Sequence, residues 1–364
     1  MRRLQGFQDA LSPSAPRRGR KDRPVIDAPS RPSGSGRAGS ALPTTADDRA
    51  RLSRVIAKAP EVMVKVTGKT SGAGHLQAHL DYISRNGEVK LEGRAGIEFE
   101  GREVVHGLGD AWSADIEADE NRRRDSPHSV SIILSMPAGT DPYDVRDAAR
   151  AFARETFSDR FDYVMAYHGD TRSPHVHLTV KPVGDNGERL NLRKADLDAM
   201  RQTFARELRS RGVEAEATPR RARGVTRKAE PIAIRKLKGR GVASSREAQA
   251  RTEARRLERG QDTTPRPWET AAKARRDAIQ NAFMDTAEAL AKTGKPEDRR
   301  LGVELARFTE GMAPCLSRRE AMALEMRADH LAGRSIEQGR GEAPTRSAPE
   351  GPSRSEPKTP DRER

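Results

Sequence analysis

Three of the chain's eight histidines and an aspartate fall within the ten residues His168-Gly169-Asp170-Thr171-Arg172-Ser173-Pro174-His175-Val176-His177. Neutral imidazoles are good donors to a divalent metal, and three at one point leave positions open for a substrate. Whether they meet depends on the local fold. Phe161 to His168 and His175 to Pro182 read as two antiparallel strands joined by the polar Gly-Asp-Thr-Arg-Ser-Pro turn. Side chains alternate faces with period two, so His175 and His177 share a face. Symmetric pairing sets His168 opposite His175 on that same face. Tyr163, Met165, Tyr167, Val176, Leu178 and Val180 then fall on the other, apolar face. A slip of one residue would bury the imidazoles and expose the aliphatics, so this register is strongly specified. Asp170, in the turn, is placed to orient a ring N–H or to act on a nearby proton. Histidines that merely stack on a half-exposed face are the blander reading, and the third histidine in register weakens it.

A second reactive group comes some ninety residues earlier. The stretch His75-Leu76-Gln77-Ala78-His79-Leu80-Asp81-Tyr82-Ile83-Ser84-Arg85 predicts a helix that ends at Asn86-Gly87. At about 100° per residue, Leu76, Leu80 and Ile83 form the stripe that packs on a sheet. Tyr82 lies well round from that stripe, on the flank that carries His75 and His79. Taken alone it reads as a tyrosine at the rim of a core. Beside a three-histidine metal it suggests attack on a phosphodiester. The metal polarises the non-bridging oxygens of the phosphate. A phenol, with an ordinary pKa near ~10, becomes the nucleophile once it loses its proton to Asp170, a histidine or the metal's field. The product is a phosphotyrosine ester, which a free 3′-hydroxyl can reverse.

The elements that must hold these groups alternate along the chain. A short strand at Val62–Val66 precedes the Tyr82 helix, and residues 89–105 read as one or two weak strands. A helix follows from Val104 to about Ala118, then an apolar strand from Val130 to Met136. Asp141-Pro142 is an N-cap and first-turn pair for a helix through Phe157. The histidine hairpin comes next, then a helix from about Lys194 to Arg211. This order predicts an α+β domain, its sheet mixed or antiparallel with helices on one face.

Composition limits the rest. The chain has 364 residues, of which 34% are hydrophobic, 34% charged and only 4% aromatic. That favours one compact domain with polar extensions. A net charge of +14 favours a polyanionic partner. No apolar run approaches the roughly 20 residues of a membrane span, and the first residues lack the apolar core of a signal peptide. Cys315 is the only cysteine, which excludes a disulfide framework and a cysteine metal knuckle. A soluble, cytoplasmic protein is expected. From Glu216 to Asp262 there are 14 Lys/Arg against 6 Asp/Glu, a run suited to tracking phosphates. The expected organisation is a disordered basic arm (1–58), a nuclease domain (59–215), a basic DNA-tracking linker (216–265), a helical module (266–332) and a disordered tail (333–364). Trp112 and Trp268 are expected in the core.

These residues resemble a known family. The His-x-Asp-x3-Pro-His-x-His pattern of residues 168–177 looks like motif III of conjugative relaxases, the HUH single-strand endonucleases. Leu80 to Gly87, Leu-Asp-Tyr-Ile-Ser-Arg-Asn-Gly, looks like their tyrosine-bearing motif I, above all in the branch containing the T-DNA border endonuclease. Ile133 to Thr140 is similar to motif II, whose serine contacts DNA near the nick; that role carries over to Ser135. Arg220-Arg221-Ala222-Arg223-Gly224-Val225-Thr226 resembles a basic stretch just after the nuclease domain. The likeness spans about residues 60 to 228. It implies a relaxase palm with a central five-stranded antiparallel sheet, helices packed on it, and a helical and disordered basic C-terminal region. It implies Tyr82 as nucleophile, a Mg²⁺ or Mn²⁺ ion on His168, His175 and His177, and Asp170 in an orienting or basic role. Ser135 and Arg85 become DNA contacts. The implied reaction is site- and strand-specific nicking at an origin of transfer through a 5′-phosphotyrosine intermediate, followed by rejoining. Implied partners are single-stranded and origin-of-transfer DNA, relaxosome accessory proteins and a type IV coupling protein, with the Arg-rich tail as a secretion signal. Two departures stand out. The tyrosine lies at 82 behind a long arm, whereas the family usually has it near the N-terminus, and motif I holds a single tyrosine. Rival readings are a rolling-circle replication initiator, and a non-catalytic basic DNA-binding protein with a structural metal site.

Overall fold

The computed structural model describes residues 45–220, 223–225, 232–242 and 244–340. The rest of the expected arm and tail, and Arg221, Ala222 and Thr226, lie outside the described residues. The described chain divides into two compact units. The first covers residues through 226 together with 270–315, and it holds an antiparallel sheet in the order β1-β4-β6-β5-β2-β3. The strands are β1 (Met63–Thr70), β2 (Leu91–Gly93), β3 (Glu98–Phe99), β4 (Ser129–Ser135), β5 (Tyr163–His168) and β6 (His175–Val180). Five strands were expected; the sixth is the two-residue β3, which closes a tight turn beside β2.

Helices lie on both faces of this sheet, not on one. Against one face pack α4 (Pro142–Phe157) and α5 (Lys194–Arg209). Their Phe152, Phe157, Phe204 and Leu208 meet Val64, Ile132, Leu134, Met165, Val176, Leu178 and Val180 in the main core. Against the other pack α2 (Ala73–Ser84) and α3 (Arg102–Glu117), which bury Leu76, Leu80, Ile83, Leu108 and Trp112 on Leu91, Val164 and Ala166. The signal for the second layer was present in β5, where Val164 and Ala166 are apolar on the histidine face.

The hairpin has the register that alternation predicts. His168 pairs with His175, Ala166 with His177 and Tyr163 with Val180. Tyr163, Met165, Val176, Leu178 and Val180 are all buried. At about 1.5–3 kcal/mol for each large side chain, a slipped register would forfeit roughly 10 kcal/mol, comparable to the net stability of a domain. The capping predicted for α4 is also present: Asp141 accepts from the backbone N–H of Tyr143 at 2.8 Å and Asp144 at 3.2 Å, with Pro142 in the first turn.

Several boundaries differ from expectation. Within the stretch expected to be a disordered arm, residues Ala46–Ile56 form a helix, α1, capped by Thr45. Leu52 and Ile56 of α1 join a separate core with Ile279, Phe283, Leu290, Leu301 and Leu305. Those residues belong to α8 (Pro267–Ala291) and α9 (Pro296–Glu310). Arg54 of α1 is bonded to buried Glu216 at 2.8 Å, so part of the supposed linker is structural. The second unit, residues 227–269 with 316–364, contains α6 (Ile232–Gly239), α7 (Ser245–Glu258) and α10 (Arg318–Arg340). The linker is thus partly helical, and α10 continues into the first residues expected to be tail. In this unit Arg319 and Glu269 form a buried ion pair at 2.6 Å, which holds the Glu269 carboxyl down at about 2. Trp268 is 67% exposed, against the expectation of a core residue, whereas Trp112 is buried. Among the described residues, no helix is long and apolar enough to cross a membrane.

Candidate active site

Adjacent strands β5 and β6 carry His168, His175 and His177 on one face. One nitrogen from each lies within 4.8 Å of the others, and the ring centroids are 4.9–5.2 Å apart. Hydrogen bonds orient two of the rings. His168 Nε2 lies 2.8 Å from the Ile83 carbonyl, so that nitrogen carries the proton and Nδ1 keeps its lone pair. His175 Nδ1 lies 3.1 Å from the Ser173 carbonyl, which leaves Nε2 as the donor atom for a metal. Burial and the neighbouring imidazoles push His177 down to about 3, and burial lowers His168 as well. Both are therefore neutral near pH 7, the form that ligates. Three imidazoles within this span fit a divalent ion with open positions.

Tyr82 comes from α2, the helix that crosses this face. Its ring stands edge-on to His177, with 5.8 Å between centroids and an interplanar angle of 84°. The residue is 67% exposed, so it is open to solvent. The stripe Leu76, Leu80 and Ile83 is fully buried, as the helical periodicity predicts. That packing turns the Tyr82 flank toward the triad.

The end of α2 is unusual. Arg85 and Asn86 both take left-handed backbone (φ 51° and 58°), and Gly87 follows at φ 91°. A Cβ on Gly87 would strike the backbone of Arg102, so only glycine fits there. This reversal aims the Arg85 guanidinium at the hairpin turn, where it bonds Asp170 Oδ1 at 2.8 Å. The Arg85 guanidinium holds the Asp170 carboxyl below its usual range. Among the hydrogen bonds of the described residues, none joins Asp170 to a histidine ring. The two residues assigned separately to catalysis and to DNA are thus partners of each other.

Ser135 pairs directly with His175 across β4 and β6, so it shares the histidine face. It is buried, and its hydroxyl donates to the Pro174 carbonyl at 3.2 Å. His79, which has no expected site role, also lies on this face, with its Nε2 2.8 Å from Thr179 Oγ1 and 3.0 Å from Ser131 Oγ. Its sequence signal is a set of hydroxyl residues on the histidine face, Ser129, Ser131 and Ser135 of β4 and Thr179 of β6, with a histidine one turn before the tyrosine. Asp81, next to Tyr82, turns away to bond His106 and Gln77 at 3.1 and 3.0 Å.

With this geometry in place, comparison with known proteins is informative. Residues 103–213 match the family described as relaxase, MobA/VirD2-like, nuclease domain. A T-DNA border endonuclease VirD2 of Rhizobium radiobacter is 27% identical over 186 residues, covering 45% of this chain and 43% of that protein. Its counterpart in Agrobacterium fabrum is 26% identical, covering 46% and 41%. The chain thus spans less than half the length of the curated relatives it matches. A solved structure described as "Molecular Basis of Vancomycin Resistance Transfer in Staphylococcus aureus" is 17% identical and covers 44% of this chain and 99% of that one. Its TM-score of 0.30 is too low to bear on function. The relaxase resemblance read from the motifs agrees with the family match.

Proposed function

We propose that this protein nicks and rejoins single-stranded DNA at an origin of transfer, through a covalent bond between Tyr82 and the 5′-phosphate. The observation that carries this reading is the Tyr82 ring standing 5.8 Å from His177 beside a triad with ligand atoms within 4.8 Å of one another. His168, His175 and His177 would hold Mg²⁺ or Mn²⁺. That ion, when bound, supplies Lewis-acid polarisation of the scissile phosphate's non-bridging oxygens. The Tyr82 oxygen forms the new bond to phosphorus as the bond to O3′ breaks, and O3′ leaves with the electron pair to become a 3′-hydroxyl. Because Tyr82 is exposed, its proton has a direct exit to solvent. Asp170, engaged by Arg85 and held in its charged form, is a weak base; its part is to orient the turn between His168 and His175. Arg85 offers its remaining N–H groups to a phosphate, and Ser135 lies at the edge of the site where the strand passes. The reverse attack by a 3′-hydroxyl restores the strand and frees Tyr82.

The setting of this chemistry is conjugative mobilisation in the cytoplasm. Accessory DNA-binding proteins and a type IV coupling protein are the expected partners, and the C-terminal tail is the expected export signal. What supports it is the similarity to relaxases and the net charge of +14. The test is Tyr82→Phe on end-labelled single strands. The variant should keep oligonucleotide binding within about twofold and lose the covalent adduct on a denaturing gel by at least about 10³-fold. An adduct that persists in Tyr82→Phe removes this residue from the role.

A further inference from the structure

We propose that His79 is a positioning residue that sets the register of the tyrosine helix on the metal-ligand strands, a role that rests on the reading of Tyr82 above. Ser131 and Thr179, the two hydroxyls that His79 Nε2 engages, are directly paired across β4 and β6. Both side chains are buried on the histidine face. A buried hydroxyl without a partner is costly, so both are drawn to the one ring nitrogen. The contact is a point, and it is directional.

Its place in the geometry matters. Along β6, Thr179 lies two residues beyond His177 on the same face, about 7 Å away. Along α2, Tyr82 lies three residues beyond His79, about 4.5 Å further along the axis and on the same flank. With His79 held over Thr179, Tyr82 therefore falls over His177, where the edge-to-face contact is seen. A helix slip of one residue moves Tyr82 by about 1.5 Å and swings it by about 100°, off the triad. The fully buried stripe of α2 fixes which face of the helix is down, but hydrophobic contact is non-directional and leaves smaller shifts along and about the axis to directional contacts. Two other ties, from the Ile83 carbonyl to His168 and from Arg85 to Asp170, lie beyond Tyr82. On the near side His79 ties the body of the helix to the strands, and the Gly72 N–H bonds His128 Nδ1 at 3.0 Å at the helix start, so the tyrosine is bracketed between the two sets.

The test uses the full chain loaded with Mn²⁺ and single-turnover adduct formation on a cleavable labelled strand. His79→Ala should slow the adduct-forming step by about 10- to 100-fold, with Mn²⁺ affinity and oligonucleotide affinity within twofold of wild type. His79→Gln, whose amide oxygen can accept from both hydroxyls, should recover most of the rate. Ser131→Ala with Thr179→Val should reproduce the loss and add nothing further to His79→Ala. An unchanged rate in His79→Ala overturns the proposal, as does a loss of Mn²⁺ affinity parallel to the loss of rate. A second readout needs no activity. The ring-proton NMR shifts of His177, marked as Tyr82-dependent by Tyr82→Phe, should move toward the Tyr82→Phe positions in His79→Ala. Unmoved shifts overturn the proposal. A wild-type protein that forms no adduct with any strand sinks the nicking reading instead, and the NMR comparison still decides the role of His79.

Discussion

The two halves of the candidate site are held by different physics. The ligand half lies on paired strands, with His168 buried and its neighbours half-buried, and the main core directly behind it. Its geometry follows from strand pairing and from the burial of every second residue. The tyrosine half lies at the end of a helix, with an exposed ring, two non-glycine residues in left-handed backbone and an exposed ion pair at the turn. A metal centre needs fixed donors before the substrate arrives. A nucleophile that must attack, stay bonded and then leave needs an open side. Rigidity and access thus fall to separate elements, and a few directional contacts join them.

The largest effect should come from the rigid half. His177→Ala should weaken Mn²⁺ binding by about 100-fold or more and take adduct formation with it, since a ligand matters at least as much as its supporting shell. Calorimetric titration of the metal checks this, and an affinity within about threefold of wild type would mean the triad is not the metal site. The same residue makes this half acid-sensitive. Folded His177 stays neutral down to about 3, whereas the unfolded chain takes up that proton near the ordinary ~6.5. The unfolded state therefore binds more protons between those values, and stability falls as pH falls through that window. In chelator-washed protein, denaturant titrations of wild type and His177→Gln should diverge by up to about 1.4 kcal/mol per pH unit. Parallel pH curves would place His177 in a more solvated setting.

Smaller effects should come from the open half. Asp170→Asn should slow adduct formation by less than about tenfold and leave its pH profile in place. A loss of about 10²-fold or more with a displaced limb would make Asp170 the general base and move it to the chemical half of the comparison. Arg85→Ala should cost least: oligonucleotide binding weaker by about three- to tenfold, with a log–log salt slope shallower by roughly 0.7, as expected for one lost contact to a single-stranded phosphate. Metal affinity should not change. An unchanged salt slope would mean that Arg85 serves only Asp170.

Much of the rigid half was legible in the sequence because its information is local and periodic. Period-two alternation of Tyr163, Met165 and Tyr167 against Val176, Leu178 and Val180 is enough to place the three histidines on one face. Likewise, Leu76, Leu80 and Ile83 suffice to turn Tyr82 aside from the core stripe. The open half was less legible because it depends on where a chain reverses. Nothing in Arg85 announces left-handed backbone, and without that turn its bond to Asp170 cannot be foreseen. The second helical layer was hard to read because Ile133, Val164 and Ala166 share the histidine face with polar residues. Helix α1 was obscured by the polar sequence before it, although Thr45, Asp47 and Asp48 form an N-terminal signature and Leu52 with Ile56 provides a helical stripe. Its burial depends on residues more than 200 positions away.

The central claim is that the exposed tyrosine and the largely covered triad, with His168 buried and His175 and His177 half-buried, form one reacting centre. Its most direct measurement is mass spectrometry of the covalent product. Wild-type protein is incubated with Mn²⁺ and single strands tiling the DNA around its own gene, then digested with protease and nuclease. The account predicts a 5′-phosphonucleotide on the Tyr82 peptide, formed with metal and absent after chelation or in His177→Ala. A nucleotide carried on another residue, or an adduct on Tyr82 that forms equally well without the triad, would contradict it.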